Sequence, residues 1–124
     1  MNSSETRAGA RLAFTIYGEP ASKANSRQIV TIKGRPAVIK SAKARKYASD
    51  AELQVRKVTP LLAGRLRATI RIYYASERPD LDESVILDVL QGRVYVNDRQ
   101  VRERHTYHGI DKANPRAEIE IEEI

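Results

Sequence analysis

Two complementary alternations constrain the fold more than any other feature. Over residues 65–74, Leu66, Ala68, Ile70, Ile72 and Tyr74 alternate with Arg65, Arg67, Thr69, Arg71 and Tyr73; at the end of the chain Ala117, Ile119 and Ile121 alternate with Glu118, Glu120 and Glu122. A period of two sends successive side chains to opposite faces of a strand, so each segment carries one apolar and one charged face. Opposite charges directly across from one another stabilise a strand pair. The two segments are therefore expected to be neighbours, Arg opposite Glu, with the arginines partly neutralised within the fold.

Around that pair the remaining elements can be placed in order. Residues 11–17 alternate Leu12, Phe14 and Ile16 with Ala13, Thr15 and Tyr17, which predicts a half-buried strand. Residues 18–26 are rich in turn formers, and 27–32, Lys33-Gly34 and 35–40 read as a hairpin. Ser41 is suited to cap a helix over 42–58, where Ala44, Tyr47, Ala48, Ala51, Val55 and Val58 fall on one face and Pro60 marks the exit. Asp82 or Ser84 can cap a short helix to Leu90, closed by Gln91-Gly92. Residues 94–96 read as extended, Asn97-Asp98 as a turn, and 101–107 as a strand with Arg102 and Arg104 on one face.

The expectation is an α+β fold: one small domain over residues 1–124, a mixed or antiparallel sheet, one long and one short helix, and a frayed start at residues 1–10. A chain of 124 residues is long enough for one real core and short for two.

The net charge of +6 hides an asymmetry: residues 1–78 hold 16 Lys and Arg against 5 Asp and Glu, and residues 79–124 hold 6 against 11. A cationic half suits a polyanionic partner, since neutralised phosphates release counterions; a solvated face is the plainer alternative. Lys23, Arg27, Lys33 and Arg35 crowd the hairpin and its approach and are the first candidates for DNA contact, with Arg99 and Arg102 further on. With no cysteine, thiolate metal sites and thiol nucleophiles are excluded. Residues 1–10 contain no apolar leader segment and no run is long enough to span a bilayer, which points to a soluble, cytoplasmic protein.

The chemistry concentrates in residues 78–101. Asp80 and Asp82 precede the short apolar helix and Asp98 follows it, so a chain that turns back would bring three carboxylates together. Clustered carboxylates repel unless a hard cation neutralises them, and Mg²⁺ takes oxygen ligands within a water-rich shell. That is the chemistry of a metal-dependent nuclease. Each aspartate also has a plainer role, as a cap or turn residue, and Asp88 reads as a surface position. His105 and His108, three apart, read as surface histidines or phosphate contacts before a metal pair.

Three blocks resemble the RusA-type Holliday junction resolvases, typically encoded by bacteria, their phages and prophages. Residues 14–23, Phe-Thr-Ile-Tyr-Gly-Glu-Pro-Ala-Ser-Lys, are similar to the family's opening strand and Gly-x-Pro-x-x-Lys loop; Arg78-Pro-Asp-Leu-Asp82 is similar to its Asp-Leu-Asp signature; residues 88–101, from Asp88 through Gly92 to Val101, are similar to its second block. The resemblance implies a mixed α/β homodimer that binds four-way junctions and nicks two opposed strands with Mg²⁺, or Mn²⁺ in its place. It carries the signature aspartates onto Asp80 and Asp82 and the third acidic position onto Asp98, making all three catalytic and metal-binding. The family usually continues with Asn and, four residues past the second aspartate, a lysine; here those positions hold Glu83 and Ile86. Lys23, Arg99 and Arg102 are the cations considered in its place. The expected function is a junction resolvase of recombination and repair. A junction-binding protein without catalysis, and a small α/β protein with solvated charges, are the alternatives.

Overall fold

The computed structural model describes residues 10–124, with the side chain of Lys23 excepted. The expectation of a frayed start falls mainly on residues 1–9, outside the described residues. In chain order the elements are β1 (Arg11–Tyr17), β2 (Arg27–Ile32), β3 (Arg35–Lys40), α1 (Ala42–Gln54), β4 (Leu66–Tyr74), α2 (Ser84–Leu90), β5 (Val101–Ile110) and β6 (Arg116–Glu123). One sheet has the order β1-β6-β4-β5 and a second holds β2 and β3, so the fold is α+β as expected.

The two alternating segments are indeed adjacent. Strands β4 and β6 run antiparallel with Arg67 opposite Glu122, Thr69 opposite Glu120 and Arg71 opposite Glu118. Arg67 lies 2.8 Å from Glu103 on β5 and 3.5 Å from Glu122, whereas Arg71 stacks over the Tyr107 ring at 5.0 Å. The other face is the core: Leu66, Ala68, Ile70, Ile72 and Tyr74 are fully buried with Ala117, Ile119, Ile121 and Ile16. Both helices cover it, α1 through Ala44, Tyr47 and Ala51, and α2 through Val85, Ile86, Leu87, Val89 and Leu90.

Two departures from expectation have physical causes. Helix α1 stops at Gln54 rather than near 58, and Val55 turns extended. Tertiary bonds replace the helical ones there: Arg93 Nη1 donates to the Val55 carbonyl at 3.1 Å, and the Val58 N–H donates to the Arg93 carbonyl at 2.8 Å. These take the chain away before Pro60 is reached.

The second departure concerns β5, which pairs parallel with β4. Its register slips between Leu66, opposite Val101, and Arg67, opposite Glu103, so Arg102 is an extra residue in a bulge. Past the bulge the alternation is rephased. Arg104, opposite Ala68, joins Thr106 and His108 on the helix-covered side, and Arg102 does not share that face. His105 and His108 accordingly point to opposite faces of β5.

The hairpin forms with the expected bounds and stands as a separate two-stranded sheet with Ile29 and Val38 largely exposed on it. Lys33 and Gly34 both take positive φ, 51° and 76°, the two-residue turn whose twist matches the flanking strands. At its base the Ser41 N–H donates to the Ser26 carbonyl at 3.1 Å, and the Ser41 hydroxyl donates to the Asn25 carbonyl while accepting the Ala44 N–H at 3.1 Å.

Candidate acidic site and nucleic-acid interface

A parallel strand pair cannot be closed by a tight turn; the chain must cross the sheet between them. Here the crossover is a loop at 75–83 followed by α2, and it decides where the aspartates stand. Asp80 and Asp82 come off the end of β4, before α2. Asp98 lies after α2, in the 3₁₀ turn Asp98–Gln100 that leads into β5. The helix between them has seven residues, a length of about 10 Å at 1.5 Å per residue.

The Asp80/Asp82 loop is pinned from below. The fully buried Tyr74 at the end of β4 turns its hydroxyl up into the loop, accepting the Asp82 N–H and donating to the Asp80 carbonyl, both at 3.2 Å. Burial raises the Tyr74 pKa; the Asp82 N–H opposes the rise, and the carboxylates of Asp82, Glu19 and Glu83 add to it. The hydroxyl therefore keeps its proton and its place as donor. His108 from β5 braces the same loop, its Nε2 3.0 Å from the Pro79 carbonyl and its ring 4.9 Å from that of Tyr74. The exposed Asp80 lines an open cleft of about 530 Å³ with Glu77, Pro79, Leu81, His108, Gly109 and Ile110. Asp82 Oδ1 accepts the Ser84 N–H at 2.9 Å, so Asp82 supports the helix start although the capping position is Glu83, which makes no side-chain cap.

Asp98 is fixed as firmly at the opposite end. Its N–H donates to Gln91 Oε1 at 2.8 Å, Asn97 and Gln100 form a capping box, and Gln100 Nε2 donates to the carbonyls of Leu62 and Gly64, both at 2.9 Å. Among the described residues no three His, Asp or Glu side chains come together as a group able to hold a metal. The expected meeting of Asp80, Asp82 and Asp98 at one point is thus not seen within one chain, because the parallel crossover sets them at opposite ends of α2. What the structure does gather is a pair: Asp80 and Asp82 on one pinned loop beside a cleft.

This pair is a sound donor set for a hard cation, because Mg²⁺ is commonly held by one or two carboxylates, water and substrate phosphate rather than a full protein cage. Asp80 is exposed and so open to an ion from solvent.

The predicted DNA contacts spread over two regions. Arg27, Lys33 and Arg35 are exposed on the hairpin; Arg99 and Arg102 are exposed at the start of β5, where they line a second cleft of about 310 Å³ with Arg65. For Lys23 only the backbone, in a 3₁₀ turn at Lys23–Asn25, is described. Sequence reasoning passed over three further groups. Arg104 Nη1 lies 3.5 Å from Glu83, Lys40 Nζ lies 3.3 Å from Asp88, and Glu19 accepts the Ala75 N–H at 2.7 Å while standing 3.7 Å from Lys43. Glu19 falls inside the recognisable Gly-x-Pro loop, a signal available in the sequence; Arg104 depends on the bulge, which is not.

An acidic loop at the start of α2, with a cationic hairpin whose last residue, Lys40, pairs with Asp88 of the same helix, defines a small basic α+β protein with a carboxylate pair open to solvent. Within that class the chain belongs to the endodeoxyribonuclease RusA family, whose sequence model matches residues 18–122. Members of this family are nucleases that act on Holliday junctions, bind branched DNA and depend on divalent metal. No curated protein matches the chain. Among the described residues no helix is long and apolar enough to cross a membrane.

Proposed function

We propose that this protein is a Mg²⁺-dependent, structure-selective endodeoxyribonuclease that resolves four-way DNA junctions by paired nicks during recombination and repair. The observation that carries the reading is the Asp80/Asp82 loop, held at a cleft by Tyr74 and His108, in a chain matched by the family model over residues 18–122. Asp80 and Asp82 would hold the cation, which when bound supplies an activated water and neutralises charge on the phosphodiester. The chain's own part is to fix the two carboxylates through backbone bonds at Asp80 and Asp82 and to present cationic side chains to the flanking phosphates. Asp98, in the family's third acidic position, serves from the far end of α2. A homodimer suits the substrate, because a junction offers two equivalent phosphodiesters and a two-fold pair offers two equivalent sites.

A second reading, a branched-DNA-binding protein that cuts poorly, draws support from Ile86. It stands where the family usually has lysine, and it is fully buried against the sheet. The deciding experiment incubates a synthetic four-way junction with the wild type and Asp82→Asn, each with Mg²⁺ or EDTA, beside gel-shift binding. Paired nicks that require both the metal and Asp82 are expected. Tight binding by both proteins with nicks from neither would establish the second reading instead.

A further inference from the structure

We propose that Arg104 is the phosphate-binding residue of the acidic site, gripping the phosphodiester between the two ends of α2. The assignment rests on the nuclease reading above and adds a residue to it. A phosphodiester that approaches the carboxylates of Asp80 and Asp82 is repelled by them, and a protein cation on the same side adds to the bound metal in offsetting that repulsion. Among the described residues, two cations form ion pairs with acidic residues of the loop and α2: Lys40, 3.3 Å from Asp88, and Arg104, 3.5 Å from Glu83. Lys40 reaches the middle of the helix. Arg104 reaches the residue next to Asp82.

The position of Arg104 along β5 is the stronger argument. That strand runs from the Asp98 turn to the Pro79 loop, with Val101 opposite Leu66 near the first end and His108 bonded to the Pro79 carbonyl near the second. Arg104, opposite Ala68, falls between them on the helix-covered side because the bulge at Arg102 turns it there. Its charge is also felt at the Tyr95 hydroxyl, which donates to the Leu87 carbonyl at 2.6 Å midway along α2. Burial is the main cause that raises the pKa of that hydroxyl; Asp98 and Asp88 add to the rise and Arg104 opposes them. The guanidinium thus stands at Glu83, beside Asp82, and its charge is felt at Tyr95 midway along α2. About half of its side chain is exposed, 51%, against 20% for Glu83, so the carboxylate orients the fork while leaving it accessible. A guanidinium matches phosphate oxygens two at a time and stays charged throughout the working pH range, which fits it to bind and stabilise charge rather than to donate a proton.

The test compares single-turnover nicking of a four-way junction by the wild type, Arg104→Ala, Arg104→Gln and Arg104→Lys, with Asp82→Asn as the inactive reference and gel-shift binding in EDTA for each. Loss of the guanidinium should slow nicking by about 10²-fold or more, while junction binding weakens less than about tenfold, as for one phosphate contact. Arg104→Lys should recover at least about tenfold of that loss, a charge-dependent rescue that a packing role would not give. The exposed head leaves the β4–β5 backbone ladder intact, so the variants are expected to fold; should Arg104→Ala fail to, Arg104→Gln carries the test. An active wild type with an equally active Arg104→Gln overturns this assignment alone. A wild type that nicks no branched DNA overturns the nuclease reading and this one with it.

Discussion

Asp82 and Asp98 are chemically alike and differ in what surrounds them. Asp82 shares a pinned loop with Asp80 beside an open cleft, while Asp98 is locked into a capped turn at the other end of α2. Their substitutions are expected to separate. Asp82→Asn should raise the Mg²⁺ concentration needed for half-maximal nicking by about tenfold or more, since it removes one of the few carboxylates holding a water-rich ion. Asp98→Asn should lower the rate at saturating Mg²⁺ while moving the metal midpoint less than about threefold, on the same grounds. A metal titration of nicking by both variants decides; equal shifts in midpoint would show that all three aspartates share one ion. A second prediction concerns Tyr47 on α1, whose hydroxyl is buried with no hydrogen-bond partner among the described residues. Burial, with Tyr74 nearby adding to it, pushes its pKa up. An unsatisfied buried hydroxyl costs about 1–3 kcal/mol. Tyr47→Phe is therefore expected to be neutral or to stabilise the fold by up to about 1 kcal/mol in urea denaturation.

Among the elements, the strands were the most legible in the sequence, for a physical reason. Strands β1, β4 and β6 lie within a residue or two of the alternating segments, β2 and β3 match the hairpin read from its turn, and the Arg/Glu pairing of β4 with β6 followed from their matching period and opposite charge. Period-2 patterning records which face is buried, and that information is local. What the sequence did not carry was relational. Nothing in 101–107 announces that Arg102 bulges out and rephases the strand so that Arg104 turns to the helix-covered side, and nothing in 80–98 says that β5 runs parallel to β4 and so carries Asp98 away from Asp82. The end of α1 was misplaced because its competitor, Arg93, lies almost forty residues further on. Helix α1 also yields a prediction. Ser41 accepts the Ala44 N–H and donates to the Asn25 carbonyl, so it caps the helix and fastens the base of the hairpin at once. Ser41→Ala should cost about 1–2 kcal/mol in denaturant melts, the upper part of the range for lost caps. The same change should weaken junction binding if the cations of the hairpin meet DNA.

For the whole molecule the charges divide by face. On the uncovered side of the sheet, acidic side chains of β5, β6 and the turn between them hold arginines: Arg67 with Glu103 and Glu122, Arg11 with Glu120, and Arg116 with Glu118 and Asp111. The hydrogen bond from Arg67, with help from His105, lowers the pKa of Glu103, and the one from Arg116 does the same for Asp111. A carboxylate whose folded pKa lies below its unfolded value of about 4 stabilises the fold fully above that value and loses its effect as pH falls through the folded one. The melting temperature is thus expected to fall on acidification below about pH 4, and to fall less steeply in a Glu103→Gln, Asp111→Asn double variant. Calorimetry from neutral to strongly acidic pH checks this, and parallel curves for the two proteins would discount these pairs. With these arginines occupied, the exposed cations of the hairpin and of the start of β5 are the ones proposed to meet DNA.

The antiparallel pairing of β1 with β6 carries one more consequence. Arg11 lies opposite Glu122, and the Glu123 N–H donates to the Ala10 carbonyl at 2.9 Å, so two residues from far ends of the sequence meet at one corner of the sheet. A strand that stands beside β4 on one side and β1 on the other comes last in the sequence. The order of the elements along the chain is therefore separable from their order in space. A circular permutant, with Ile124 joined through residues 1–9 to Ala10 and the chain reopened between Lys33 and Gly34 at the hairpin tip, should rebuild the same four-stranded sheet and melt cooperatively by circular dichroism. The hairpin would then be two free arms, and the branched-DNA contacts assigned to it would be read apart from the stability of the body.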